Sequence, residues 1–235
     1  MILLCSILFV LPTLLFGQDY KYQGSRVILS TNNTGSSTSF YVYNPGYLAK
    51  AIYKDTLDAK NTFPEQLMES LISANNQKWI DYNTLGGMLN SKKYDKAYFN
   101  ARNKMNKTKT FLELKAKYIF TFQGNEMAII KYFYNSPDNK PTSGAYVLQK
   151  LGERWFYTST SFTSDLALVI MRFQEEKLAL ILKGEKTGNA KIDEVILRLK
   201  DANGFISTAK LVNEFNNWYT NNLEILNYFK DANTW

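Results

Sequence analysis

The middle of the chain alternates. From Leu114 to Phe122, the residues Leu114, Ala116, Tyr118, Phe120 and Phe122 take turns with Lys115, Lys117, Ile119 and Thr121. A period of two places one set on a single face of a half-buried β-strand. Gly124-Asn125 follows as a two-residue hairpin signal, and Glu126–Tyr134 is the return strand. Pro137-Asp138-Asn139 marks the next turn. Tyr146–Leu148 and Trp155–Tyr157, joined at Gly152-Glu153, complete an antiparallel meander of four strands.

On either side the period becomes helical. After the break at Asn44-Pro45-Gly46, the run Tyr47–Tyr53 predicts a helix. A second helix starts behind Phe63, with Pro64 and Glu65 in its first turn, where a fixed φ and a negative charge are both favoured. Leu67, Leu71 and Ile72 form its apolar stripe, and Lys92–Arg102 predicts a short third helix. Phe162–Phe173 and Leu178–Leu182 are apolar helix candidates. Ile192, Val195, Ile196 and Leu199 then repeat at i, i+3, i+4 and i+7, as do Leu211, Phe215, Trp218 and Tyr219 later. Arg26–Thr31 reads as a strand and Asn32–Ser39 as a loop. The expected architecture is α+β: N-terminal helices packed on a four-stranded antiparallel meander, followed by a helical C-terminal appendage. A soft boundary near Thr163 separates a body spanning 18–162 from a helical region spanning 163–235.

The first residues follow a different logic. Ile2–Phe16 is almost wholly apolar but falls short of the roughly 20 residues a permanent span requires. Gly17 followed by polar Gln18-Asp19 suits the end of a signal peptide covering 1–17, so the expected destination is the periplasm or the exterior. The segment departs from the usual pattern in two ways: no Lys or Arg precedes Lys21, and Leu15 stands where a small residue is customary. A truncated start and retention of the segment as an anchor are the alternatives.

Composition narrows the chemistry. The chain has no histidine, and its one cysteine is Cys5, inside the signal. Disulfides, thiolate metal sites, His-ligated zinc and Ser-His-Asp or Cys-His catalysis are therefore outside its means once the signal is removed. Carboxylate, lysine or tyrosine chemistry and oxygen-ligated metals remain. The aromatic content of 15% supplies a substantial core without staples.

Helices followed by a curved antiparallel meander resemble the cone-shaped α+β superfamily of nuclear transport factor two-like and SnoaL-like domains. Gly152-Glu153-Arg154-Trp155 is similar to the turn and Trp that open that family's last strand. The similarity spans 47–160 at most, and a cystatin-like helix-on-sheet arrangement would give the same pattern. Members usually place His or Asp in the cone. With no His here, the resemblance transfers no active site and implies a binding or accessory module as readily as an enzyme.

Charge is the most uneven feature. Segment 92–117 carries Lys92, Lys93, Lys96, Arg102, Lys104, Lys107, Lys109, Lys115 and Lys117 against Asp95 and Glu113, a net +7 that equals the net charge of the whole chain. Tyr94, Tyr98 and Phe99 are interleaved with these charges. Such a stretch serves either as an anion-binding patch, centred on Lys92, Lys93, Lys96, Arg102, Lys104, Lys107 and Lys109, or as a solvated face. For an exported protein the partner would be an acidic glycan, a lipid head group or an envelope protein; no nucleic acid is expected. Tyr118, Phe120, Tyr132, Tyr134, Trp155 and Tyr157 lie on predicted strands and are either ordinary core or the lining of a small-ligand pocket.

Two further patterns lead nowhere. Asp201-Ala-Asn203-Gly204-Phe-Ile206 imitates the middle of an EF-hand, but Leu199 and Lys210 occupy the positions that calcium needs acidic, so a helix stop with a new N-cap at Ser207 or Thr208 is expected. Glu175-Glu176 and Asp193-Glu194 are neighbours that point apart on a helix and form no acid-base dyad. The sequence therefore assigns no catalytic residue, metal or cofactor. It favours a non-enzymatic binding protein over a carboxylate-based hydrolase.

Overall fold

The architecture is a computed structural model describing residues 25–31, 37–137, 139–159, 161–201 and 206–221. The segment expected to be a signal peptide lies outside these residues. So do most of the Asn32–Ser39 loop, the 202–205 core of the EF-hand-like run, and 222–235.

Six antiparallel strands lie side by side in chain order: β1 (Ser25–Thr31), β2 (Ser37–Lys50), β3 (Phe111–Phe122), β4 (Asn125–Ser136), β5 (Asn139–Leu151) and β6 (Arg154–Tyr157). Helices α1 (Pro64–Ser73), α2 (Gln77–Asn83) and α3 (Lys96–Lys104) fill the connection from β2 to β3. Helices α4 (Ser161–Arg172), α5 (Glu175–Lys183), α6 (Ala190–Leu199) and α7 (Thr208–Asn221) follow the sheet. The fold is thus α+β, with two more strands than the meander expected from the alternation. Those two pair ahead of the helices: β1 with β2, and β2 with β3.

The helix expected over Tyr47–Tyr53 is instead the end of β2. Val42 pairs with Ala116, the register then shifts, and Tyr47 resumes opposite Leu114, with Ala49 opposite Leu112. A bulge of this kind takes up Tyr43–Gly46 and returns the chain to the ladder. Pairing with a central strand outweighs the high helical propensity of Leu-Ala-Lys-Ala. Gly46 fits the bend because a Cβ there would come within 2.6 Å of the Glu113 carboxylate. The β3–β4 hairpin closes one residue earlier than expected. Phe122 pairs with Asn125, so its loop is Gln123-Gly124, with φ of 50° and 77°. Both values are positive, as a type I′ turn demands.

The sheet is covered on both faces. On one, α1 packs against Leu112, Leu114, Ala128, Ile130, Leu148 and Trp155. On the other, Phe40, Tyr118, Phe120, Met127, Ile129 and Val147 share a core with α4–α7, through residues such as Leu166, Ile170, Ile181 and Phe215. The C-terminal helices therefore form a layer on the sheet.

Double cover explains two lysines that alternation alone would place in solvent. Lys117 is 2% exposed and lies 2.7 Å from Glu65 Oε1 on α1. Lys131 is fully buried, donates to the Phe173 carbonyl at 2.7 Å and pairs with Glu175 at 2.7 Å, tying β4 to the α4–α5 corner. Burying a charge is costly unless it is paired, and both of these are. Around Glu65 and Glu69 the phenols of Tyr43, Tyr47 and Tyr53 donate to the carboxylates. At the far end, Ser207 takes the N-cap of α7, accepting from Lys210 N, as expected.

Candidate functional site

Between α3 and the face of the sheet that carries α1 lies a cleft of about 450 Å3. Its floor comes from β4 and β5 through Tyr132, Tyr134, Thr142, Ser143 and Tyr146, with Leu112 on β3 and Tyr157 on β6. Its opposite wall comes from Lys92, Tyr94, Tyr98 and Arg102, and its apolar base from Leu71, Ile72 and Ile80. Thr84 completes it, in the turn after α2 that bridges to Tyr157.

Each tyrosine is placed by local structure. On β4 and β5, Tyr132 and Tyr134 sit opposite Gly144 and Thr142, so the same face of both strands looks at α3. The Tyr132 ring lies over Gly144, where a Cβ would come 2.5 Å from the ring's Cζ and hydroxyl oxygen. That bare position lets Tyr132 stack on Tyr146 at 5.1 Å, and Tyr157 meets Tyr146 edge-on at 5.4 Å. On the other wall, Tyr94 and Tyr98 stack at 4.1 Å, with Phe99 edge-on to Tyr98 at 5.2 Å. Asp95 starts α3 by accepting from Tyr98 N at 2.8 Å, which fixes where Tyr98 projects.

The cations have different tasks. The Arg102 guanidinium donates to the carbonyls of Leu71 and Ala74 and, at 3.2 Å, to the Tyr98 hydroxyl. It thus satisfies carbonyls at the end of α1 that the helix leaves unpaired. Lys92 reaches over the Tyr94 ring, with Nζ 5.2 Å from the centroid. Burial raises the pKa of Tyr132, Tyr146 and Tyr94 above the phenol's ordinary 10.0. All three phenols stay protonated at neutral pH and can donate hydrogen bonds. Among the described lining residues there is no carboxylate.

The cleft draws on both sets of sequence candidates and completes neither. From the basic set it takes Lys92 and Arg102. Lys93 pairs with Asp81 at 3.2 Å, while Lys96, Lys104, Lys107 and Lys109 are exposed. From the aromatic set it takes Tyr132, Tyr134 and Tyr157. Tyr118 and Phe120 face the other way, into the core under α4–α7, and the Tyr118 hydroxyl lies 3.0 Å from Thr208. The register dictates this division: Tyr118 sits opposite Ile129 and Phe120 opposite Met127, so both share a face with the odd-numbered residues of β4. Trp155 is buried behind α1. Tyr94, Tyr98 and Tyr146 complete the lining. Tyr94 and Tyr98 stood in the sequence as aromatics among charges, and Tyr146 as an even-numbered strand residue like Tyr132.

Two other concavities differ in character. A more open cleft of about 570 Å3 runs along Trp155, Lys150 and Glu126, where the lysine is already paired with the carboxylate at 3.1 Å. A groove of about 220 Å3 lies between α4 and β5. Neither gathers ring faces and cations as the cleft under α3 does. Scans of this chain against protein-family models, curated proteins and solved structures found no match.

Proposed function

We propose that this chain is a non-catalytic binding protein whose cleft under α3 takes one small ring-bearing anion. The observation that carries the proposal is the convergence of six tyrosines with Lys92 and Arg102 around one cavity, with no described carboxylate to repel an anion or to serve as a base. The volume is in the range of small-ligand sites. Stacked phenols offer flat apolar faces with protonated hydroxyls at their tips, and Lys92 adds a charge at the rim. Helices closing a cleft against one face of an antiparallel sheet also suit the resemblance to nuclear transport factor two-like domains. Export through a signal at 1–17 belongs to the same proposal and is checked by the mass of the product secreted from a bacterial host, which should begin at Gln18.

Calorimetry on the full chain with benzoate, galacturonate and their uncharged analogues tests the site. Saturable binding at one site by a ring carboxylate is expected. Tyr98→Ala and Lys92→Ala should each weaken it at least about tenfold, the loss of one stacking or charge contact. Absence of saturation at millimolar concentrations, or binding that ignores both substitutions, refutes the proposal.

A further inference from the structure

Tyr134, which lines the cleft, lies near a lysine-rich end of the sheet. Beyond Arg102 the chain passes that end, because the Tyr134 hydroxyl reaches Met105 Sδ at 3.5 Å. Lys104, Lys107 and Lys109 flank Met105 and are exposed. Pairing of Phe111 with Asn135 brings Lys109 beside the end of β4. Pairing of Ser136 with Asn139 and of Tyr134 with Thr142 brings exposed Lys140 to the same end. No Asp or Glu occurs between Lys96 and Thr110. Among the described residues none of these four lysines is in an ion pair.

Resting on the cleft proposed above, we infer that the bound ring is the terminal unit of a carboxylated glycan, whose following acidic units lie along Lys104, Lys107, Lys109 and Lys140. Three features select this chemistry. Tyr, Ser and Thr hydroxyls both donate and accept, as the hydroxyls of a sugar ring require, whereas Lys92 only donates and matches a carboxylate. Phenol rings present flat apolar faces to the C–H face of a sugar. The single arginine of this region spends its guanidinium on Leu71, Ala74 and Tyr98, so the bidentate fork that favours phosphate is not on offer. What remains is a row of lysine point charges, suited to acidic groups spaced along a hydrated polymer.

The test is calorimetry on the full chain with galacturonic acid, a short oligogalacturonide, a neutral oligosaccharide of equal length and a single-stranded oligonucleotide, at low and high salt. The oligogalacturonide should bind at least about tenfold tighter than the monomer at low salt, because its later units engage a tethered second site. High salt should erase that advantage. The variant Lys104→Glu/Lys107→Glu/Lys109→Glu should lose the advantage yet keep the affinity for the monomer, which also shows that it is folded. Equal affinity for monomer and oligomer overturns the extended site while leaving the cleft proposal standing. A monomer that does not bind while benzoate does overturns the choice of glycan alone, and failure of both overturns the cleft proposal as well. Equal binding of the neutral oligomer, or tighter binding of the oligonucleotide, overturns the choice of glycan.

Discussion

The buried pair between Lys117 and Glu65 gives the sharpest test of how the sheet is sealed. Its atoms are 2.7 Å apart, and the two side chains are 2% and 0% exposed. At that separation and an effective dielectric of about 20, the attraction is about 6 kcal/mol. The cost of removing two ions from water is several kcal/mol each, so the pair gains little over neutral groups of similar shape. The lysine also stands 4.8 Å from the centroid of the Tyr41 ring, and Glu65 accepts from Tyr43. Lys117→Met keeps the aliphatic stem but strands the carboxylate, at a cost of about 3–5 kcal/mol. For a chain of this length that lowers Tm by about 6–20 °C. Glu65→Gln added to Lys117→Met removes the stranded charge and leaves an acceptor for Tyr43, so the double variant should return to within about 1.5 kcal/mol of the parent. Urea titration of all four proteins of the cycle, followed by circular dichroism, measures a coupling of at least about 2 kcal/mol. A single substitution costing under about 1 kcal/mol, or a double variant as damaged as Lys117→Met, would mean that water reaches the pair and that α1 does not seal this face.

Gly144→Ala drives a methyl group into the Tyr132 ring, 2.5 Å from its nearest atoms. It should cost about 1–3 kcal/mol in a melting experiment and displace Tyr132 from its stack on Tyr146; a variant with parental Tm and parental ligand affinity would contradict the placement of that ring. Burial raises the pKa of Glu69 above its ordinary 4.5, so the folded chain holds this proton more tightly than the unfolded one. Stability from this group is therefore full below 4.5 and falls as pH rises through the folded value. Glu69→Gln should flatten that slope in denaturation series run from acid to neutral pH, and an unchanged slope would sink the assignment. Gln123 holds a φ of 50° in the β3–β4 turn. Gln123→Asn supplies the Asn-Gly pair that such turns favour and should add about 0.5–1 kcal/mol by urea titration, against no gain if the turn is of another type.

Much of the architecture was legible because local signals agreed with it. Pro64 and Glu65 open α1, Ser207 caps α7, and the alternation at 114–122 is β3. What local signals could not supply was the partner of each face. Lys115 and Lys117 look alike in sequence, yet Lys115 is half-buried beside Glu113 and Lys117 is enclosed under α1. The register shift between Leu114 and Ala116 decides which side each residue of β3 takes, and no single residue announces it. The same holds for the aromatics. Tyr118 and Tyr132 are both even-numbered strand tyrosines, but that shift and the strand pairing send them to opposite faces. Tyr47 reads as helical because Leu-Ala-Lys-Ala favours a helix, yet pairing with β3 holds Tyr47–Lys50 in the strand.

The cleft exists because α3 is a poor core helix. None of its residues is fully buried, and Lys96, Asn100, Asn103 and Lys104 keep it in solvent. A helix with no apolar stripe does not settle onto a sheet. What keeps α3 near the sheet is a pair of attachments at its two ends. Asp81 collects Lys93 and Ser91 just before the helix, and Arg102 binds the last carbonyls of α1 near its close. Between them the stacked Tyr94 and Tyr98 act as spacers, too bulky to let the helix collapse onto Tyr132 and Tyr146. The basic charge that makes α3 and its flanks stand out in the sequence and the cavity found in the structure therefore share one cause: a polar helix, tethered at both ends and propped on aromatic rings, leaves an opening where an apolar helix would have left core.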